Sequence, residues 1–349
     1  MSSILTKIFN ECGADAVLTS AEDLRLYLTG FHSTFGYVLT DKSGTVFYTD
    51  MRYFEAAEEK LKGTEIKVLP YKSITVYDII KPYKKIALAL DKITANEYIQ
   101  FKQKGFEVCD STPAFNSAML VKTAAEIENI RTACKITDKA FTQLLSTIKE
   151  GQTESEVAAQ LEYLMRKFGA SGTSFDTIVA FGKNSSVPHH ETGNTKLKFG
   201  DVILIDFGCK ANGYCSDCTR TFLFGDDGKK EEFKKKYQIV LEAQKLVKEK
   251  VKEGFTGSRA DAVAREHLKK YGLDGNFTHS LGHGIGINIH EAPLVSPKSE
   301  DILKNGMVFS DEPGVYFKGD FGIRIEDTIC LNNGKIESLT NTDINLTIL

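Results

Sequence analysis

The chain has 349 residues, 42% hydrophobic and 26% charged, with 44 Lys and Arg against 47 Asp and Glu for a formal net charge of −3. That length accommodates two domains, or one large domain with a smaller one attached. The near-neutral charge gives no electrostatic reason to expect nucleic acid or an anionic membrane as partner.

No apolar run approaches the roughly 20 residues of a spanning helix, and the N-terminus lacks a signal peptide's apolar core. Seven cysteines, scattered from Cys12 to Cys330, do not read as a disulfide framework. The expectation is a reduced, cytoplasmic protein.

In chain order, residues 5–9 have helical apolar spacing, with Gly13 as a stop. Residues 16–19 read as a strand, and 20–23 open a second helix. Two apolar runs, 36–40 and 45–49, flank the Gly-containing turn 41–44 and predict a hairpin. An amphipathic helix follows over 53–62, then a strand over 65–69 and a buried strand over 85–90. Strands alternating with helices predict a small α/β domain. It shows no concentrated chemistry, and its charges read as solvated faces.

Turn residues cluster at 110–113, and the pattern beyond them is strongly helical. Residues 124–149 carry Ile127, Ile130, Ala133, Ile136, Ala140 and Leu144 at three- and four-residue steps. A second helix, from 154 to about 168, places Val157, Leu161 and Leu164 inward. The expected domains are residues 1–120 and 121–349. After Gly172 come the segment 175–181 and a loop over 182–190, and a helix reads over 230–252, where Lys234, Lys235 and Lys236 read as solvent-exposed.

The chemistry is concentrated after residue 200. Residues 201–206 form a buried strand ending in Asp206, and across the turn 210–213 a second strand, 214–222, carries Asp217. A hairpin there brings the two aspartates to opposite or diagonal positions. A second hairpin, centred on Gly319, sets Glu312 directly across from Glu326. Nearby lie Gly282-His-Gly-Ile-Gly286, His290-Glu-Ala-Pro293 and Arg324.

Burying imidazoles and carboxylates is costly unless they are paired or bound to a cation. One buried carboxylate is usually an ion-pair or cap partner. Four at matched hairpin positions would repel strongly without neutralisation. Two Asp, two Glu and His283 suit a pair of hard or borderline divalent cations bridged by carboxylates. Cys215-x-x-Cys218 is a weak zinc or redox signal, because strand positions i and i+3 point to opposite faces. The Gly282-x-Gly284-x-Gly286 spacing is wrong for a dinucleotide fingerprint, and its glycines read as letting backbone crowd against His283. Sequons at Asn184, Asn276 and Asn345 carry no weight in a cytoplasmic chain.

On these residues the C-terminal part resembles the creatinase/methionine aminopeptidase-like "pita-bread" metallopeptidases, in the Xaa-Pro aminopeptidase and prolidase branch. The matching segments are Val187-Pro-His189, Ile205-Asp206-Phe-Gly208, Cys215-Ser-Asp217-Cys-Thr-Arg-Thr221, His279-Ser-Leu-Gly-His283-Gly284, His290-Glu-Ala-Pro293, Glu312-Pro-Gly-Val-Tyr316 and Arg324-Ile-Glu326-Asp327. They come in the family's order. The first 120 residues resemble its creatinase-type N-terminal domain through Tyr27-Leu-Thr-Gly-Phe31 and Tyr48-Thr-Asp-Met-Arg52-Tyr53. The fold implied is α/β (α+β), with a smaller creatinase-like N-terminal α/β domain and a C-terminal pita-bread metallopeptidase domain.

The resemblance implies that Asp206, Asp217, His283, Glu312 and Glu326 hold two divalent ions, Mn²⁺ first, with Co²⁺ or Zn²⁺ as alternatives. It implies that the metals supply hydroxide from a bridging water near neutral pH, with Glu312 accepting the proton. His189 and His290 would hydrogen-bond the substrate and the tetrahedral intermediate. His279 and Phe175 would line the substrate pocket, and Arg324, sharing strand parity with Glu326, would orient a ligand carboxylate. His190 keeps a structural reading.

That branch cleaves peptides with proline in the second position. A prolidase must also receive the dipeptide's free carboxylate, and some use an arginine between the segments matched by His290 and Glu312. Residues 291–311 contain no arginine and only Lys298 and Lys304. This favours an aminopeptidase acting on longer peptides, with an Xaa-Pro dipeptidase as the alternative. The extra α/β domain disfavours a methionine aminopeptidase. Persistence of all five ligand positions disfavours a creatinase-like amidinohydrolase and a non-catalytic peptide-binding protein. The resemblance also suggests a homodimer.

Overall fold

In the computed structural model, which describes residues 3–226, 228 and 230–349, the chain divides into two compact units, Met1–Met119 and Leu120–Leu349. The first runs α1 (Ser3–Cys12), β1 (Ala16–Thr19), α2 (Glu22–Thr29), β2 (Tyr37–Asp41), β3 (Gly44–Thr49), α3 (Phe54–Leu61) and β4 (Ile66–Pro70). It continues through α4 (Val76–Ile80), β5 (Lys85–Leu88), α5 (Ala95–Gln103), β6 (Glu107–Asp110) and α6 (Thr112–Leu120).

Its six strands form one sheet in the order β4-β3-β2-β1-β5-β6. The β2–β3 hairpin is the one its turn predicts: the Asp41 carboxylate accepts from the N–H groups of Ser43 and Gly44 and closes the loop. Four elements, α4, α5, β6 and α6, lie outside the sequence expectations. Two of them carry a legible start, because Thr75 with Asp78 and Thr94 with Glu97 form reciprocal capping boxes. The turn-rich residues 110–113 lead from β6 into α6. Ala114 and Phe115 of that helix pack with Ile8, Val17 and Leu24.

The second unit begins with α7 (Ala124–Leu145) and α8 (Glu154–Lys167), each started by a capping box, Thr123 with Glu126 and Thr153 with Glu156. Its strands are β7 (Gly172–Thr173), β8 (Ile178–Phe181), β9 (Asp201–Phe207), β10 (Cys209–Ala211), β11 (Tyr214–Cys215) and β12 (Cys218–Phe224). After α9 (Glu231–Lys250) and α10 (Gly257–Lys269) come β13 (Gly282–Gly284), β14 (Glu291–Val295), β15 (Val308–Asp311), β16 (Gly314–Phe317), β17 (Phe321–Arg324), β18 (Asp327–Asn332) and β19 (Lys335–Ser338).

These strands form small sheets ordered β12-β9-β8, β11-β10-β7 and β14-β13-β15-β18-β19, with β16–β17 as a separate hairpin. Helix α7 buries Ile130, Ala133, Cys134, Thr137, Ala140, Phe141 and Leu144, a stripe at helical spacing. Phe141 stacks on Phe207 with ring centroids 5.0 Å apart. Along β9, Ile203, Ile205 and Phe207 enter the core beneath α7 and α8, whereas Val202 joins the core of α9 and α10. Asp206 has the parity of Val202, so strand alternation turns its carboxylate away from the α7–α8 core.

Candidate metal centre and active-site cavity

Two hairpins set the carboxylates. Asn212 and Gly213, with φ of 52° and 85°, form a two-residue turn between β10 and β11, with Ala211 opposite Tyr214. Positive φ at both turn residues matches the twist of a hairpin. In the adjoining ladder Asp206 faces Thr219 and Phe207 faces Cys218. Asp217, just before β12, is therefore diagonal to Asp206 on the same face.

In the second hairpin β16 and β17 pair Gly314 with Arg324 and Tyr316 with Gly322. Beyond them β15 and β18 pair Asp311 with Asp327 and Ser310 with Thr328. Both ladders keep one register, and Glu312 and Glu326 lie opposite each other in the gap between them. Pro313, which has no N–H, occupies that gap. The freed backbone groups find other partners: Glu312 N–H donates to Leu281 O at 2.9 Å and Glu326 N–H to Thr219 O at 3.1 Å. The second bond, with Thr219 Oγ1 donating to Glu326 Oε2 at 2.5 Å, ties one hairpin to the other.

Carboxylate oxygens of Asp206, Asp217 and Glu326 converge within 4.8 Å of one another. His283 Nε2 lies 3.6 Å from Asp217 Oδ2 and 3.6 Å from Glu312 Oε1. Its Nδ1 is 3.2 Å from the carbonyl of Gly284, which places the ring proton there and leaves the Nε2 lone pair facing the carboxylates. Burial, and then His290, push the His283 pKa down to about 4, so the ring is neutral. Strand β13 reaches this place because it carries glycines: a Cβ on Gly282 would stand 2.0 Å from Ser310 O, and one on Gly284 2.1 Å from Ala292 O.

Burial and the neighbouring acids act together on the carboxyls. Burial, followed by Glu326, Asp206 and Glu312, raises the pKa of Asp217, and burial, followed by Glu312 and Asp206, raises that of Glu326. Glu312 is pushed up to about 7, chiefly by burial, with Arg324 opposing and Asp206 adding to it. Asp206 Oδ1 is buried without a hydrogen-bond partner. An orphaned oxygen, mutually repelling carboxylates and a neutral imidazole form a donor set that fits divalent cations.

A cavity of about 410 Å³ opens over this cluster. Asp206, Asp217, His283, Glu312, Glu326, His189, His290, His279, Phe175 and Arg324 all line it, with Ile178, Pro188, Ile289 and Leu294 as apolar wall. Strand β8 begins only at Ile178, so Phe175 reaches the cavity from the segment before it. The His290 ring packs against His283 at 4.3 Å. His279 is committed differently: Nδ1 is 2.8 Å from Ser280 O and Nε2 is 3.0 Å from Tyr316 Oη.

Arg324 donates to Asp206 Oδ2 at 2.6 Å, Tyr316 Oη at 2.7 Å, Thr219 Oγ1 at 2.9 Å and Pro188 O at 3.3 Å. Tyr316 and Thr219 are site residues that the motif reading missed. Strand parity with Glu312 identifies the first and parity with Asp217 the second.

Buried ion pairs support the cluster from outside. Asp327, next to Glu326, accepts from Arg220 at 2.7 Å, Lys248 at 2.5 Å, Gln244 at 3.0 Å and Thr340 at 2.8 Å. Glu291, next to His290, pairs with Lys122 at 3.2 Å. Cys215 packs with Ile130, Cys134 and Ile285, while Cys218 packs with Ala133 and Phe207. The two sulfurs diverge as parity requires, and neither residue lines the cavity.

Residues 128–333 match the Metallopeptidase family M24 model, and residues 3–131 match the Creatinase/Prolidase N-terminal domain. An Xaa-Pro dipeptidase of Pyrococcus furiosus is 36% identical over 344 residues, covering 97% of each chain. Among solved structures, an Xaa-Pro dipeptidase from Bacillus anthracis superposes with a TM-score of 0.93 at 36% identity, covering 99% of this chain and 98% of that one. An X-Pro aminopeptidase from Thermotoga maritima gives 0.92 at 35% identity, covering 97% and 99%.

Proposed function

The chain belongs to metallopeptidase family M24, with a creatinase-like N-terminal domain and a pita-bread catalytic domain, and on that premise we propose that it is an Xaa-Pro aminopeptidase. It removes the first residue from peptides that have proline second and at least one residue beyond. One observation carries the choice of substrate length. Among the described residues, Arg324 is the one lysine or arginine in the cavity wall, and its guanidinium is already committed to Asp206, Tyr316, Thr219 and Pro188. Lys298 and Lys304 are exposed and outside that wall. A dipeptide's carboxylate would be buried there without a cation, at a cost of several kcal/mol.

In this reading Asp206, Asp217, His283, Glu312 and Glu326 hold two divalent ions. When bound, such ions lower the pKa of a water and polarise the scissile carbonyl. Mn²⁺ is the expected metal because four carboxylates with one imidazole make a predominantly hard donor set, and Co²⁺ and Zn²⁺ are the alternatives. Glu312, whose Oε1 accepts from Ser310 Oγ at 3.0 Å, receives the proton lost by the attacking water. His189 and His290 donate hydrogen bonds to substrate oxygens on which charge develops. Arg324 fixes the rotamer of Asp206 and frees its Oδ1 for the cation. Phe175, Ile178, Ile289 and Leu294 exclude water around the substrate's apolar parts.

The second reading, an Xaa-Pro dipeptidase, is favoured by the printed names of relatives such as the Pyrococcus furiosus enzyme. A non-catalytic peptide-binding protein ranks below both, because all five ligand positions face one cavity. Scattered unpaired cysteines support a cytoplasmic setting, and the working assembly is a homodimer. The deciding experiment compares hydrolysis of Xaa-Pro and Xaa-Pro-Xaa peptides by the Mn²⁺-supplemented protein. Higher kcat/KM for the tripeptides supports the aminopeptidase, and faster dipeptide cleavage assigns a prolidase. Cleavage of neither by metal-loaded protein leaves the binding protein.

A further inference from the structure

Glu154 opens α8 and has no solvent exposure (0%), a costly position for a carboxylate unless its lone pairs are all engaged. Four donors engage them. Phe181 N–H at 2.9 Å and Asn184 Nδ2 at 2.8 Å donate to Oε1. His190 Nε2 at 3.0 Å and Gly193 N–H at 3.1 Å meet Oε2. Helix capping does not account for this arrangement, because Thr153 and Glu156 already form the capping box of α8.

The four donors come from the end of β8, the short 3₁₀ turn Gly182–Ser186 and the loop after it. That loop carries His189 to the cavity wall. It is strapped further: Ser155 N–H and Oγ both donate to Gly193 O, at 2.9 and 2.8 Å. Thr192 Oγ1 accepts from Val179 N–H at 2.8 Å and donates to Thr177 O at 2.9 Å. On the other side of His189, the Pro188 carbonyl accepts from Arg324 at 3.3 Å. The histidine thus sits between two anchored neighbours, Pro188 held by the metal-site arginine and His190 held by Glu154.

We propose that Glu154, acting through His190, is a positioning residue that fixes His189 against the substrate. The role rests on the peptidase reading above and lies outside the cavity, since neither Glu154 nor His190 lines it. His190, for which the sequence supports only a structural reading, becomes the link between a buried carboxylate and a substrate-facing imidazole. A loop-borne group held at one end only would sample positions away from the substrate, and a displacement of about 1 Å can cost about 10²-fold in rate.

The test uses full-length Mn²⁺-loaded protein and an Xaa-Pro-Xaa tripeptide. Glu154→Gln keeps the side chain's size but turns an amide NH₂ toward His190 and Gly193. It should lower kcat at least about 10-fold while KM moves less than about threefold, with metal content unchanged. His190→Ala should give a comparable loss, and the double variant should lose no more than the worse single one, because both break the same contact. His190→Gln, whose amide can still donate to Oε2, should recover most of kcat.

Independently of turnover, in the same proteins loaded with diamagnetic Zn²⁺, the His189 ring-proton resonance should shift in Glu154→Gln and His190→Ala and return in His190→Gln. If Glu154→Gln does not fold, the two His190 variants carry the same test. The proposal is overturned if the folded variants keep kcat within about twofold of wild type, if the losses multiply in the double variant, or if the His189 resonance stays in place. If the wild type cleaves no proline peptide, the peptidase reading fails, and the His189 resonance alone decides whether the clamp exists.

Discussion

Glu312 and Glu326 face each other across the gap between two ladders of the same register, β15–β18 on one side and β16–β17 on the other. The regular ladder is interrupted where the two carboxylates enter the cavity, and Pro313, whose carbonyl accepts from Ile325 N–H at 3.3 Å, lies at the interruption. The second hairpin meets the first there, through the bonds from Glu326 to Thr219. The site depends on this junction between hairpins.

Glu312→Gln tests the junction's chemistry. The substitution preserves shape but removes a charge that, in the proposed mechanism, the cation and the proton transfer both need. We expect kcat to fall about 10²–10⁴-fold with the fold retained. Near-normal turnover in metal-supplemented variant protein would remove Glu312 from its assigned role.

Metal removal should make stability depend on pH. Asp217, Glu326 and Glu312 have raised carboxyl pKa values, Glu312 up to about 7. The metal-free folded chain therefore holds protons more tightly than the unfolded chain. Its stability from these groups is fully present below their unfolded values near about pH 4 and is lost as pH rises through the folded ones. Cations held as proposed would neutralise the same carboxylates. The Tm gap between Mn²⁺-loaded and chelator-stripped protein should widen from about pH 5 to about pH 8. A gap that stays constant in thermal unfolding over that range contradicts this account.

Lys122→Met probes the support behind His290. The Lys122 and Glu291 side chains are 1% and 9% exposed and 3.2 Å apart. Removing the cation leaves a buried carboxylate without its charge partner, with Oε1 accepting from Asn288 N–H at 2.9 Å. We expect a loss of about 3–5 kcal/mol, with a smaller loss when Glu291→Gln is added. Denaturant unfolding reads both values, and a single variant as stable as wild type would show that the pair is dispensable.

Cys218→Ser should separate the cysteines from the metal. Cys218 is fully buried beneath α7, so a hydroxyl there costs about 1–3 kcal/mol. Metal stoichiometry should not change. Loss of one bound equivalent in elemental analysis would restore Cys215-x-x-Cys218 as a ligand motif.

Leu294→Arg addresses substrate length. Leu294 lines the cavity and is 55% exposed, so an arginine there can reach the carboxylate of a bound dipeptide from the rim. Dipeptide kcat/KM should rise about 10-fold, as for one charge-assisted hydrogen bond, while tripeptide cleavage stays level or falls. An equal change for both substrates would show that the missing cation does not set the preference.

What the sequence by itself determined is local. The turn at Gly319 and the alternation of strand residues make the opposition of Glu312 and Glu326 readable, because a hairpin's register follows from its turn. The same reasoning places Asp217 near Asp206, separates Cys215 from Cys218 and finds the buried stripe of α7. Motif order supplied the family, and with it the pairing of an α/β domain with a metallopeptidase domain. The short elements α4, α5, β6 and α6 were harder to read, since none is longer than 9 residues and so short a run shows little periodicity.

Only the tertiary structure decided how the two hairpins meet. Nothing in a local pattern brings His283 to 3.6 Å from both Asp217 and Glu312, or gives Arg324 its four acceptors. Tyr316 binding His279, Lys122 beneath Glu291 and Glu154 beneath the His189 loop are likewise contacts between distant segments. Their partners are chosen by which buried polar groups remain unsatisfied after the chain has packed. Strand parity can say which face a side chain takes, but the group waiting on that face is set by the packed whole.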